Sequence, residues 1–109
     1  MLFRSLGLLV GSLNRYVVQS NRESGDGRYD IMLTPRKKGD TGVLIEFKKA
    51  KSTAKTVLEK SAKDALQQIK IQNYESDMRV HGYQGPIFCY GVAVCGKHVV
   101  VKMEVIGSL

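Results

Sequence analysis

Cysteine and histidine are scarce in this chain, with two of each in 109 residues. Cys89 and Cys95 fall six positions apart in one apolar, strand-like run, so both point to the same side and lie too far apart for a disulfide. They read as small buried hydrophobes in a reducing compartment, and a cytoplasmic location is expected. His81 and His98 stand alone, neither at ligand spacing, which excludes a Cys/His zinc site. No apolar run is long enough to span a bilayer, and no membrane partner is expected. Internal repeats and low-complexity tracts are absent. Acidic residues are few as well: 10 against 17 lysines and arginines, a net charge of +7. Such a surplus suits a polyanion such as nucleic acid, although it also serves solubility alone.

What is present fits one domain spanning residues 1–109, with an ordinary apolar fraction of 43%. The opening MLFRSLGLLVGSL has the basic residue, short apolar run and small residues of a signal peptide. Its apolar positions Leu2, Phe3, Leu6, Leu9, Val10 and Leu13 nevertheless recur at helical spacing, and a core-packing helix over Leu2–Leu13 is the favoured reading. A short strand follows over Tyr16–Ser20, then a polar turn, NRESGDG, over Asn21–Gly27. Strands are expected over Arg28–Thr34 and Gly42–Lys48, joined by the basic turn RKKGDT. Ser52 or Thr53 offers an N-cap for a helix running from about Ala54 to Gln72, whose Val57, Leu58, Ala62, Ala65, Leu66 and Ile69 share one face. Asn73–Gly85 reads as irregular or as a short helical turn. The strands Ile87–Cys95 and His98–Val105 then form a hairpin about Gly96-Lys97. A helix, three strands, a second helix and two more strands predict an α/β fold: a mixed sheet with helices packed on it, the helix crossover bringing the fourth strand parallel to an earlier one.

Alternation along the second and third strands groups Asp30 with Arg28 and Met32, and Glu46 and Lys48 with Leu44. If Tyr29, Ile31 and Leu33 share a core with Val43, Ile45 and Phe47, then Asp30, Glu46 and Lys48 meet on the opposite face. Two carboxylates offer hard oxygen ligands to Mg²⁺ or Mn²⁺, and the backbone carbonyl of Phe47 is a further candidate ligand. Lys48 beside them would orient or deprotonate an attacking water and stabilise charge on a phosphate in flight. On spacing alone, two ordinary strands with a solvated charged face explain the same residues better, because D…ExK is a short pattern.

The runs NRESGDGRYDIML, GVLIEFKKAKS, ALQQI and YGVAVCGKHVVV together resemble the PD-(D/E)xK nuclease superfamily. The chain is most similar to the nuclease-like domain at the C-terminal end of bacterial proteins that carry an AAA-ATPase-like region. This resemblance implies a restriction-endonuclease-like αβββαβ core, with the mixed central sheet flanked by helices. It makes Asp30 and Glu46 the metal-binding acids, Lys48 the catalytic lysine and Gln68 a glutamine facing the site, with Gln67 adjacent, and Tyr74 a tyrosine that follows it. Many members place a glutamate on the first helix; this one has none, and Glu23 would complete the metal site from the loop or else be an ordinary exposed turn residue. The proline that often precedes the motif aspartate is replaced by Tyr29. The AAA-ATPase-like part is expected as a partner or a missing fused domain.

The activity implied is Mg²⁺- or Mn²⁺-dependent endonucleolytic hydrolysis of DNA. Branched or junction substrates come into view through small stand-alone relatives that act as dimers. Arg22, Arg28, Arg36, Lys37, Lys38, Lys49 and Lys51 cluster around the motif in sequence and would hold phosphates. One small site meets one strand, so cutting both requires a homodimer. The alternatives are a catalytically silent nucleic-acid-binding or assembly domain with the same fold, and a protein-interaction module whose charge aids solubility.

Overall fold

The computed structural model describes residues 15–23, 28–37 and 39–107, and their side chains except those of 21–23 and 28–30. The helix expected over Leu2–Leu13 lies outside the described residues. Five strands form one sheet in the order β1-β2-β3-β4-β5: β1 Tyr16–Glu23, β2 Arg28–Pro35, β3 Gly42–Lys49, β4 Ile87–Cys95 and β5 His98–Ile106. The first three make an antiparallel meander, β3 and β4 run parallel, and β4 and β5 close a hairpin. Two helices, α1 (Lys55–Ile71) and α2 (Tyr74–Val80), fill the β3–β4 crossover. The mixed α/β sheet read from the sequence is therefore present, and it is consistent with a restriction-endonuclease-like fold.

Local chemistry sets the boundaries. Gly96, at φ +60°, supplies the left-handed residue of the β4–β5 turn. Asn73, at φ 58°, turns the chain between the helices, a conformation that asparagine tolerates better than most side chains. The N-cap of α1 is Ala54 rather than Ser52 or Thr53; the Ser52 hydroxyl instead accepts the Ala54 amide at 3.2 Å, one residue outside the helix. Strand β1 extends three residues past Ser20, so Glu23 belongs to a strand, in register with Arg28, and not to the loop. The 36–41 and 81–86 connections are tied together by Tyr83. Its hydroxyl donates to the Pro86 carbonyl at 2.6 Å, accepts the Gly42 amide at 3.2 Å and lies 3.0 Å from the Asp40 carbonyl.

Helix α1 lies across β3, β4 and β5 with Leu58, Ala62, Ala65, Leu66 and Ile69 turned inward. Leu66 and Ile69 pack with Leu44, Met78, Ile87 and Cys89, while Leu58 and Ala62 pack with Ala50 and Ala93. The approach is close because β4 offers Gly91 there: a Cβ at that position would collide with the Ala62 carbonyl and the Leu66 amide. Both cysteines are free, Cys89 buried and Cys95 partly so. Burial pushes the Cys89 thiol up to about 11, Glu104 and Glu75 adding to the effect and Lys70 opposing it. Among the described residues no helix is long and apolar enough to cross a membrane.

Candidate active site

The β2–β3 ladder pairs Asp30 directly with Glu46. Directly opposed positions of an antiparallel pair share a face and have Cα atoms about 4.5–5.5 Å apart. Asn21 continues this row on β1, and Gly91 and Lys102 continue it on β4 and β5. Lys48 follows Glu46 on the same face, about 6.6 Å along the strand.

The face that carries these residues is not the one expected. Gly42, Leu44 and Glu46 are buried, whereas Val43, Ile45 and Phe47 are only half-buried. Helix α1 packs on the Leu44–Glu46 side because Gly91 and Ala93 of β4 open that side to a close helix. Glu46 is consequently 1% exposed. For Glu46 this corrects both the expectation that it stands opposite the core and the simpler one of a solvated charged face. A carboxylate is seldom buried so completely without a charge or hydrogen-bond partner.

At the rim of the covered region Lys48 is one-third exposed, and its Nζ lies 3.5 Å from Oδ2 of Asp64 on α1. The sequence reading missed Asp64. Its signal was the four-residue spacing to Gln68, which sets the two on one helix flank. That spacing also separates the adjacent glutamines: Gln68 is half-buried on the Asp64 flank, and Gln67 is exposed. The opposite flank turns to β5, where Lys70 meets Glu104 at 2.8 Å.

The other expected residues divide by location. Arg22 and Arg28 occupy β1 and β2 at the Lys48 end of the sheet, and exposed Lys49 and Lys51 follow Lys48 directly. Arg36 and Lys37 do not join them: they leave β2 at the end where β3 begins, about 20 Å from Lys48 along the strand. Proximity in sequence misled here because a hairpin turn and the far end of its strands are close in number and distant in space. Lys38 lies outside the described residues. Glu23 pairs with Arg28 on the edge strand, one strand further from Glu46 than Asp30 is. Phe47 sits inside β3 between Tyr29 and Val92, its side chain on the face opposite Glu46, so its backbone carbonyl alone suits a ligand role. Tyr74 opens α2 and packs against the Leu44–Cys89 cluster.

Among the described residues no three His, Cys, Asp or Glu side chains come together as a metal cluster. The donor set at the paired positions 30 and 46 is two carboxylates. That suits a hard divalent ion such as Mg²⁺, which typically takes one or two protein carboxylates and keeps several waters.

No curated protein and no solved structure matches the chain. A family profile described as the PD-(D/E)XK nuclease superfamily matches residues 2–104, nearly the whole length, and takes in Asp30, Glu46, Lys48 and Gln68. With a mixed sheet that pairs the motif acids, the chain belongs to the PD-(D/E)XK nuclease superfamily.

Proposed function

We propose that the protein is a Mg²⁺- or Mn²⁺-dependent DNA endonuclease in which Asp30 and Glu46 hold the metal and Lys48 assists the attack of water. The observation that carries this reading is Glu46: a carboxylate 1% exposed, in register with a second acid and followed two residues later by a lysine. Two carboxylates at opposed positions of adjacent strands are the hard-oxygen donor set that a divalent ion takes.

When bound, the metal would make water a competent nucleophile at neutral pH and offset charge on the scissile phosphate. Glu46 and Asp30 would hold the ion from adjacent central strands, with the Phe47 carbonyl as a further ligand from β3. Lys48, on the open side of Glu46, places an ammonium where negative charge grows on the phosphate. Asp64 holds that ammonium in position from α1, and Gln68 lies one helical turn beyond it. Arg22, Arg28, Lys49 and Lys51 supply phosphate contacts around the site, and these position the substrate without reading its sequence.

The test is incubation of purified protein with plasmid, single-stranded and branched DNA, with Mg²⁺, with Mn²⁺ and with chelator. Metal-dependent nicking that falls at least a hundredfold in Asp30→Asn and in Lys48→Met supports the proposal. Cleavage that persists in both variants, or no cleavage of any substrate, rejects it. Salt-sensitive DNA binding without cleavage would instead identify a catalytically silent binding domain.

A further inference from the structure

We infer that β5 is the edge through which two copies of this chain pair, antiparallel about a two-fold axis at Met103, to make a continuous ten-stranded sheet. Strand β5 ends the sheet order, and no described strand lies on its outer side. It runs nine residues, HVVVKMEVI, without glycine or proline, and its register with β4 is unbroken from Ile87↔Ile106 to Cys95↔His98. A bulge, a proline and a very short strand, which often blunt a sheet edge, are missing here; the strand's edge-guarding charges are one lysine and one glutamate, Lys102 and Glu104. Four of the eight large apolar side chains exposed among the described residues sit on this one strand: Val99 at 57%, Val101 at 52%, Met103 at 54% and Val105 at 37%.

The charges select the second copy and its register. Lys102 and Glu104 are the strand's two fully charged residues, on the face opposite the apolar stripe. A two-fold axis normal to the sheet keeps each face on its own side. Centring it on Met103 sets Lys102 of each copy opposite Glu104 of the other, Val101 opposite Val105 and Met103 opposite itself. Centring on residue 102 or 104 instead sets like charges against each other. Glu104 already accepts from Lys70 at 2.8 Å and is 45% exposed, which leaves its carboxylate capacity for a second ammonium. Strand pairing alone makes an interface near the small end of specific ones, about 1,000–1,200 Å², so the association is concentration-dependent.

Pairing of this kind has a consequence that rests on the nuclease reading. Glu46, Gly91 and Lys102 share one row, and Lys102 is one residue from the axis. The two Glu46 positions would therefore lie on the same face of the joined sheet, five strand spacings or about 24 Å apart.

Sedimentation velocity from about 1 to 300 μM tests the pairing, using protein with an Asp30→Asn change so that the result does not depend on activity. The expected outcome is a monomer–dimer equilibrium in the micromolar range. Lys102→Glu and Glu104→Lys should each weaken association at least tenfold, and the double swap should restore it to within about threefold of the parent. Circular dichroism confirms that each variant is folded. A parent monomeric at every concentration overturns the proposal and leaves the edge to a strand of another protein. Unchanged association in the single reversals, or a double swap that fails to restore it, overturns the register and with it the inference.

Discussion

Lys48 on β3 reaches Asp64 on α1, Nζ to Oδ2 at 3.5 Å, and so ties the motif strand to the helix that covers it. Both side chains are about one-third to two-fifths exposed, and pairs of this kind contribute at most about 1 kcal/mol to stability. Asp64→Asn should therefore leave chemical denaturation within that margin of wild type. If Asp64 positions the ammonium, the same change lowers kcat several-fold with KM unchanged, and Asp64→Glu recovers part of the loss. Steady-state kinetics on a cleaved DNA substrate, beside urea denaturation, separates these effects.

Glu46→Gln keeps the shape of a buried side chain and removes its charge. The variant should fold, yet lose the metal response. In wild type, Mg²⁺ or Mn²⁺ at a hundredfold excess over Kd should stabilise by about 2.7 kcal/mol and raise the melting temperature accordingly. In Glu46→Gln that rise should be absent. Differential scanning calorimetry with and without metal measures it, and no cleavage assay is needed.

Gly91→Ala tests how closely the helix seats. In an ordinary strand interior, alanine is favoured over glycine by roughly 0.5–1 kcal/mol. Here the added methyl would meet the Ala62 carbonyl and the Leu66 amide, both backbone. The expected result is a loss of about 1–3 kcal/mol. Because Gly91 is in register with Glu46, metal affinity should fall as well, read by calorimetric titration.

Cys89 predicts a stability change in alkali. Its thiol rises from 9.0 to about 11 in the fold, chiefly through burial. The unfolded chain therefore releases that proton first. The contribution of the neutral thiol is complete below pH 9 and is lost as pH climbs through about 11. Unfolding midpoints between those limits should decline less steeply in Cys89→Ala than in wild type. Half-buried Cys95 should react with a thiol reagent at neutral pH well before Cys89 does.

Much of this was legible in the sequence, and the exceptions have physical causes. Alternation in GVLIEFKK and IFCYGVAVC located the strands because each side chain's neighbours two positions away share its environment. The same alternation could not say which face a helix would choose, since each face of β3 is apolar over its first residues and charged at the far end, Glu46 and Lys48 on one and Lys49 on the other. That choice was made by the small residues of β4, more than forty positions away. Distance along the chain also hid Asp64, whose role appears only when α1 is laid on β3. Arg36 and Lys37 show the converse error, near in number and remote in space.

Strand order along the chain and strand order across the sheet coincide. Consequently β1–β3 and β4–β5 can each zip up from local turns, and the β3–β4 junction alone waits for residues 50–86 to loop back. The Glu46–Gly91 row lies on that seam. A chain arrested halfway through folding would hold both motif acids in the β1–β3 half, before helix α1 and strand β4 have closed over Glu46. For the nuclease proposed above, a complete site would form only with the last closure of the sheet.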